Sequence, residues 1–304
     1  QTLASQGDSG DIEVTAKVIE IKNGSQLLAN VESGSAYSAG NITIAATDNQ
    51  STPAFAALDS SIAIILIDRA TLKGGNVSIT ATANDKWIWT GNEFGDAVLG
   101  FLDDLRLGLN ISYSYAWAHV DVLNNSSIDA AGTLDVEAVA KADATMRVLS
   151  TLVGVGYGET DANAKVNIGI ATLGAGGAMT LRAQADSNLL VEVDTVNTGK
   201  FNNAASNASQ YADFAFAIGK GKQVAEAIVG PNATITRADS LTVEATGEKS
   251  QSVASSGGAY KDGTASAGVS VSISDTTLTA RLGGSVNADQ VTVKAALADG
   301  ASSE

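Results

Sequence analysis

The chain has 304 residues, of which 44% are hydrophobic and 17% charged, with a formal net charge of −15 and no cysteine. That charge argues against nucleic acid and anionic membrane surfaces, both of which call for basic patches. Missing thiols remove cysteine catalysis and thiolate-ligated metals, without deciding the compartment. No apolar run approaches the ~18 residues of a spanning helix; the longest, Ile62–Ile67, reads as a buried strand.

A seven-residue pattern recurs along the chain: Gly, then an aliphatic residue at the third and fifth positions, then Ala at the seventh. It appears at Gly10–Ala16, Gly40–Ala46, Gly75–Ala81, Gly132–Ala138 and Gly177–Ala183, and with Asp in place of Gly at Asp239–Ala245 and Asp289–Ala295. Each copy alternates apolar and polar residues with period two, so it reads as a strand with one face inward and one wet. Gly at the start is expected to supply a turn with positive φ, and Ala at the end to mark a corner. A motif returning every ~30 to 60 residues indicates a repeat architecture, in which stacked neighbours complete a shared core.

Further strand-like stretches precede most copies, such as Ala118–Val122, Ala164–Ala171 and Thr277–Leu282. The expectation is an all-β parallel β-helix, a single elongated solenoid over 1–304, with about 20 to 25 residues per coil, on the order of ten coils and about 50 Å of length. Two insertions are expected, at about 84–110 and 196–222, with short helical periodicity near Phe94–Leu107 and Ala204–Ile218. The first insertion carries Trp87, Trp89, Phe94 and Phe101 beside Asp103 and Asp104. Those aromatics read first as the small core of a flap and second as a ligand-contact loop suited to stacking on sugars.

In the second insertion, Tyr211, Phe214 and Phe216 suit either a helix face or a strand. Gly219-Lys220-Gly221-Lys222 lacks the spacing and the Ser/Thr of a phosphate loop and reads as an ordinary turn. Lys200, Lys220 and Lys222 read as a solvated basic spot. His119, the only histidine, alternates with Ala118 and Val120 and is expected to face outward. Gly7-Asp8-Ser9-Gly10-Asp11 has residue types that suit Ca²⁺ but matches no calcium-loop pattern, so a plain turn is the first reading. Asn41 and Asn76 hold equivalent places in neighbouring repeats and are expected to stack as a ladder. Carboxylates are scattered singly; Asp8 with Asp11, Asp103 with Asp104, and Asp194 come nearest to clusters.

The stretches Ser9–Ala16, Ile19–Leu27 and Ser38–Ile44 resemble filamentous haemagglutinin-type repeats of large bacterial surface adhesins. The resemblance covers about the first 80 residues and extends to the rest by pattern. It implies a right-handed parallel β-helix, secretion to the bacterial cell surface, and adhesion or surface assembly. It brings no catalytic residue to carry over. The chain starts within the pattern and is read as a segment of a longer protein. The leading expectation is a stalk or fibre segment that joins adjoining repeats or itself end to end and presents a surface to a glycan or cell receptor. A self-assembling filament subunit and a polysaccharide-active enzyme are the alternatives; the enzyme needs carboxylates and an Arg converging on one groove.

Overall fold

Period-two alternation continues well past the Ala of each motif, and this sets the strand lengths. The computed structural model describes residues 2–4, 9–31, 39–52, 60–90, 107–150, 153–196, 213–258 and 266–298. Strands come in triplets. The first is β1 (Thr2–Ala4), β2 (Ile12–Ala16) and β3 (Val18–Lys22); the second is β4 (Gln26–Val31), β5 (Ile42–Thr52) and β6 (Ser60–Asp68). There follow β7 (Thr71–Gly74), β8 (Val77–Thr90) and β9 (Leu107–Leu123), then β10 (Ser126–Ala130), β11 (Leu134–Ser150) and β12 (Val153–Ile168). The last are β13 (Ala171–Ala175), β14 (Ala178–Val196) and β15 (Asp213–Val229), β16 (Thr234–Arg237), β17 (Ser240–Gly258) and β18 (Ser266–Arg281), and β19 (Ser285–Val286) with β20 (Gln290–Ala298).

Each triplet is one coil, and like strands stack into three parallel sheets. Sheet 1 runs β1-β4-β7-β10-β13-β16-β19, sheet 2 runs β2-β5-β8-β11-β14-β17-β20, and sheet 3 runs β3-β6-β9-β12-β15-β18. The chain is a parallel β-solenoid. Where all three sheets meet, it is a prism filled by Leu72, Ile128 and Leu173 of sheet 1, Ile44 and Ile79 of sheet 2, and Val166 of sheet 3. Beyond the prism, sheets 2 and 3 continue alone as a two-layer flange with a second core: Met146, Leu189, Val191 and Val193 pack against Ala215 and Ala217.

The motif alanines Ala46, Ala81, Ala138, Ala183 and Ala245 are fully buried mid-strand. They are not corners: they line the neck where sheets 2 and 3 draw together, and small side chains permit that approach. A polar seam follows the neck. Ser114 donates to the Asp85 carbonyl at 2.9 Å, and the Tyr115 amide donates to Asp85 Oδ2 at 2.9 Å. Asp48 accepts from the Ile62 amide at 2.7 Å and pairs with Lys17 at 2.7 Å. Thr160 and Ser187 hydroxyls meet at 2.8 Å, and Gln223 donates to the Ala185 and Glu248 carbonyls. Burial of these groups is tolerated because each finds a partner.

The expected asparagine ladder is present. The Asn41 amide donates to Asp11 Oδ1 at 2.7 Å, the Asn76 amide to Asn41 Oδ1 at 3.0 Å, and the Thr133 amide to Asn76 Oδ1 at 2.9 Å. Beside it the motif glycines form a backbone stack, Gly75 to Gly40 at 2.6 Å and Gly132 to Gly75 at 2.7 Å. Among the described glycines positive φ occurs at Gly24 and Gly284, not at the motif glycines. Glycine is required there for close approach: a Cβ on Gly40 would strike the Gly10 carbonyl.

Several expectations are corrected. One repeat is one coil rather than more than one, and in place of about 20 to 25 residues its length runs from 30 (Ile12 to Ile42) to 62 (Met179 to Leu241). Among the described residues sheets 1 and 2 have seven strands each, so six steps of ~4.8 Å give about 29 Å along the axis rather than 50 Å. The long dimension lies across the axis, where the 19 residues of β14 span about 60 Å. The shortfall has one cause: strands of 14 to 19 residues stand where shorter ones joined by turns were expected. The insertions shrink accordingly. Residues 84–90 belong to β8 and 107–110 to β9, while 213–222 belong to β15. Leu107 and the end of the Ala204–Ile218 stretch are therefore strand, not helix.

Candidate functional site

The outward face of sheet 3 gathers the aromatic and charged groups that sequence spacing left dispersed. In strands β9, β12 and β15 the usual alternation is inverted over the flange. Gly154, Gly156, Gly158, Ala215, Ala217 and Gly219 point inward, and bulky residues point out. The inward glycines are demanded by the facing sheet: a Cβ on Gly156 would lie 2.7 Å from Val193 and 2.9 Å from Met146.

Outward, parallel register places Tyr113, Glu159, Lys220 and Ile273 in one row, and Tyr115, Asp161, Lys222 and Asp275 in the next. Lys220 Nζ donates to Glu159 Oε1 at 2.8 Å and Lys222 Nζ to Asp161 Oδ2 at 3.0 Å. The Tyr157 hydroxyl donates to Glu159 Oε2 at 2.6 Å. Tyr113 stacks on Tyr115 with centroids 6.2 Å apart and tilts against Tyr157 at 5.6 Å. Trp117 continues the aromatic strip along β9 and is 44% exposed.

Electrostatics fix the protonation states. Partial burial alone would raise Glu159, but the hydrogen bonds from Lys220 and Tyr157 and the two lysine charges hold its carboxyl below the usual range. The Glu159 contact raises Lys220. Burial, with the charge of Glu159, pushes Tyr115 up to about 12. Burial and donation to Glu159 raise Tyr157 as well. At neutral pH the belt is a set of closed ion pairs and neutral phenols. Glu159 is held as an anion and Lys220 as a cation, each by the other.

Above this belt the same face is apolar. Leu109, Ile111, Phe214, Phe216, Val269, Val271 and Ile273 are all more than a third exposed, and Val153, Val155 and Ile218 fill between them. The outward face of sheet 2 differs: Arg182 lies 3.4 Å from Glu137 and 3.9 Å from Glu244, and Lys294 is 2.9 Å from Glu244. That alternating column is the nearest convergence of carboxylates and an Arg, and its charges are spent on each other across strands.

Trp87 points inward and is 5% exposed, as core. Trp89 stands in register with Met146. Phe94, Phe101, Asp103, Asp104, Lys200 and Tyr211 lie outside the described residues. Phe214 and Phe216 are on a strand. Gly219–Lys222 is not a turn but the middle of β15, glycines in and lysines out, and Lys220 and Lys222 form ion pairs rather than a solvated basic spot. His119 faces outward, its Nε2 3.1 Å from Asn163 Oδ1. Of the Gly7–Asp11 loop, Asp11 spends Oδ1 on the asparagine ladder, and among the described residues no group of three or more metal-ligating side chains forms. Sequence reasoning missed Tyr113, Tyr115, Trp117 and Tyr157. Their signal was the alternation of small and aromatic residues in Ser112-Tyr113-Ser114-Tyr115-Ala116-Trp117 and Gly156-Tyr157-Gly158.

No protein-family model, curated protein or solved structure matches this chain.

Proposed function

We propose that the chain is a structural and adhesive segment of a large secreted bacterial surface protein, a spacer that carries a docking face. One observation supports this most: three parallel sheets stack in order from the first described coil to the last. Hydrogen-bonded ladders along the axis suit a spacer. Trp117, 44% exposed on β9 beyond the ion-paired rows, suits stacking on a sugar ring. The likeness to haemagglutinin-type repeats supports the surface location.

A second reading, the filament subunit, rests on the last coil. Among the described residues β18, β19 and β20 are paired on one side only. Val291, Val293 and Leu297 continue the inward columns of Leu241, Val243 and Gly247, yet stay about half exposed at 48%, 46% and 48%. Either adjoining coils of a parent protein or a second copy would cover them.

Negative-stain electron microscopy of the purified chain over a concentration series separates the readings. Discrete particles about 30 Å thick and 60 Å wide, single or in closed pairs, are the result expected of a spacer segment. Fibres that lengthen along the solenoid axis would replace it with the filament reading. Compact particles without that slab outline would overturn both.

A further inference from the structure

The inverted alternation of the flange leaves a flat sheet face with its large apolar side chains on the wrong side for its own core. In the described residues this face comprises four strands, β9, β12, β15 and β18. Its apolar and ion-paired rows cover roughly 19 by 30 Å, on the order of 600 Å² in plan. An apolar patch on a typical monomer is ~300–600 Å², and one side of a stable interface is ~800 Å². A flat sheet face is covered best by another sheet face, stacked ~10 Å away.

The charges say which sheet. Glu159 and Asp161 sit on β12, and their partners Lys220 and Lys222 sit on β15, in the same two rows. A two-fold axis that runs with the strands, between β12 and β15, exchanges those strands. It lays Glu159 over Lys220 of a second copy, and Lys220 over the other Glu159; Asp161 and Lys222 exchange likewise. The same axis divides the apolar rows evenly, setting Val155 over Phe216 and Ile111 over Val271. A closed two-fold contact demands that residue i meet j while j meets i, and the apolar rows and the Glu159/Lys220 and Asp161/Lys222 pairs of this face meet that demand.

We infer that the outward face of sheet 3 is a homodimer interface, in which two copies pack their flanges face to face with the solenoid axes antiparallel. The inference rests on the sheet's own pattern and register, and it does not depend on the stalk reading. Apolar rows supply the burial, and the four-charge clusters at one border set the register and reject a shifted pairing.

Sedimentation velocity over a concentration series is the test. The wild-type chain is expected to reach a dimer and stop there. Phe216→Asp puts a carboxylate into the apolar centre and is expected to weaken association by about tenfold or more, with its thermal transition kept because the residue is outside the core. Val293→Lys, on the open last coil, is expected to leave the dimer intact. Lys220→Glu is expected to weaken it, and Glu159→Lys combined with Lys220→Glu to restore it, since exchanging the charges keeps a carboxylate opposite an ammonium in that row. Because the chain lacks cysteine, a short bis-maleimide is expected to link Ile111→Cys/Val271→Cys chains into covalent dimers while neither single variant cross-links; those two strands are too far apart within one sheet to be bridged internally. The inference falls if the chain is monomeric into the high-micromolar range. It also falls if Val293→Lys rather than Phe216→Asp abolishes association, or if a single-cysteine variant cross-links as well as the double.

Discussion

Two buried or half-buried carboxylates and one buried lysine carry the pH response. Asp48 and Glu159 are each pulled below their ordinary values against the opposing effect of burial, Asp48 by Lys17 and the Ile62 amide, Glu159 by Lys220 and Tyr157. Their unfolded forms therefore bind protons first on acidification. The stability they contribute is complete above the unfolded values, near pH 4, and is lost as pH falls through the folded ones. The melting temperature is expected to drop most steeply below about pH 4, and Glu159→Gln is expected to flatten that drop; an unchanged acid slope in the variant would show that the pair is idle. Lys249 is the opposite case. It is 6% exposed and donates to the Gly221 carbonyl at 2.8 Å and the Asp275 carbonyl at 3.2 Å. Burial lowers it, and the more distant charge of Asp275 only partly offsets this. Since the native state there holds its proton less firmly than the unfolded chain does, its contribution improves as pH rises toward the lysine range. Lys249→Met is expected to cost nothing at neutral pH and to gain up to about 2 kcal/mol, measured by denaturant unfolding; a clear loss would mean that its carbonyl contacts outweigh the burial of charge.

Strands, rather than turns, decide the size of each coil, and the ladders decide their register. Asn76 is the central rung: its Oδ1 accepts from both the backbone amide and the hydroxyl of Thr133. Asn76→Ala removes that acceptor at an exposed rung, where water can replace it, and is expected to cost about 0.5–1.5 kcal/mol. Asn76→Asp keeps the acceptor, as Asp11 does one end of the ladder, and is expected to recover most of the loss. Equal destabilisation by both would mean that the ladder is incidental. This ladder was legible in the sequence because Asn41 and Asn76 recur at the same place in a strict motif. The parallel sheets were legible for the same reason. The flange was not. Past the motif, alternation is carried by Ala, Ser and Gly, as in Val139-Ala140-Lys141-Ala142-Asp143-Ala144, and small residues look like turn and linker when no partner sheet is in view. The aromatic belt was hidden by the same inversion. Tyr157 and Phe216 are flanked by Gly and Ala, which became intelligible only once the opposing Met146 and Val191 were known to press against the backbone.

For the whole molecule, each coil is held by its two neighbours, so cooperativity runs along the axis. The ends differ from the middle in a way that the burial states. Outward and inward positions of β18 and β20 are exposed almost throughout, and in β2 the inward Ile12 and Val14 are only half-buried. In β11, β12 and β14 the inward side chains are nearly all fully enclosed, by the prism core at one end and the flange core at the other. Opening an end coil exposes one interface; opening a central coil exposes two, together with the polar seam that Thr160 and Ser187 close. Amide hydrogen exchange is therefore expected to grade along the chain: fastest in β2 and in β18–β20, slowest in β11, β12 and β14. A face-to-face dimer adds a second signature. The backbone amides of β12 and β15 over residues 153–161 and 214–222 would gain protection with concentration, while β20, on the open last coil, would not. Protection that instead rose with concentration at β20 would place the contact at the solenoid end, and uniform protection across all coils would mean that the solenoid unfolds as a single unit rather than from its ends.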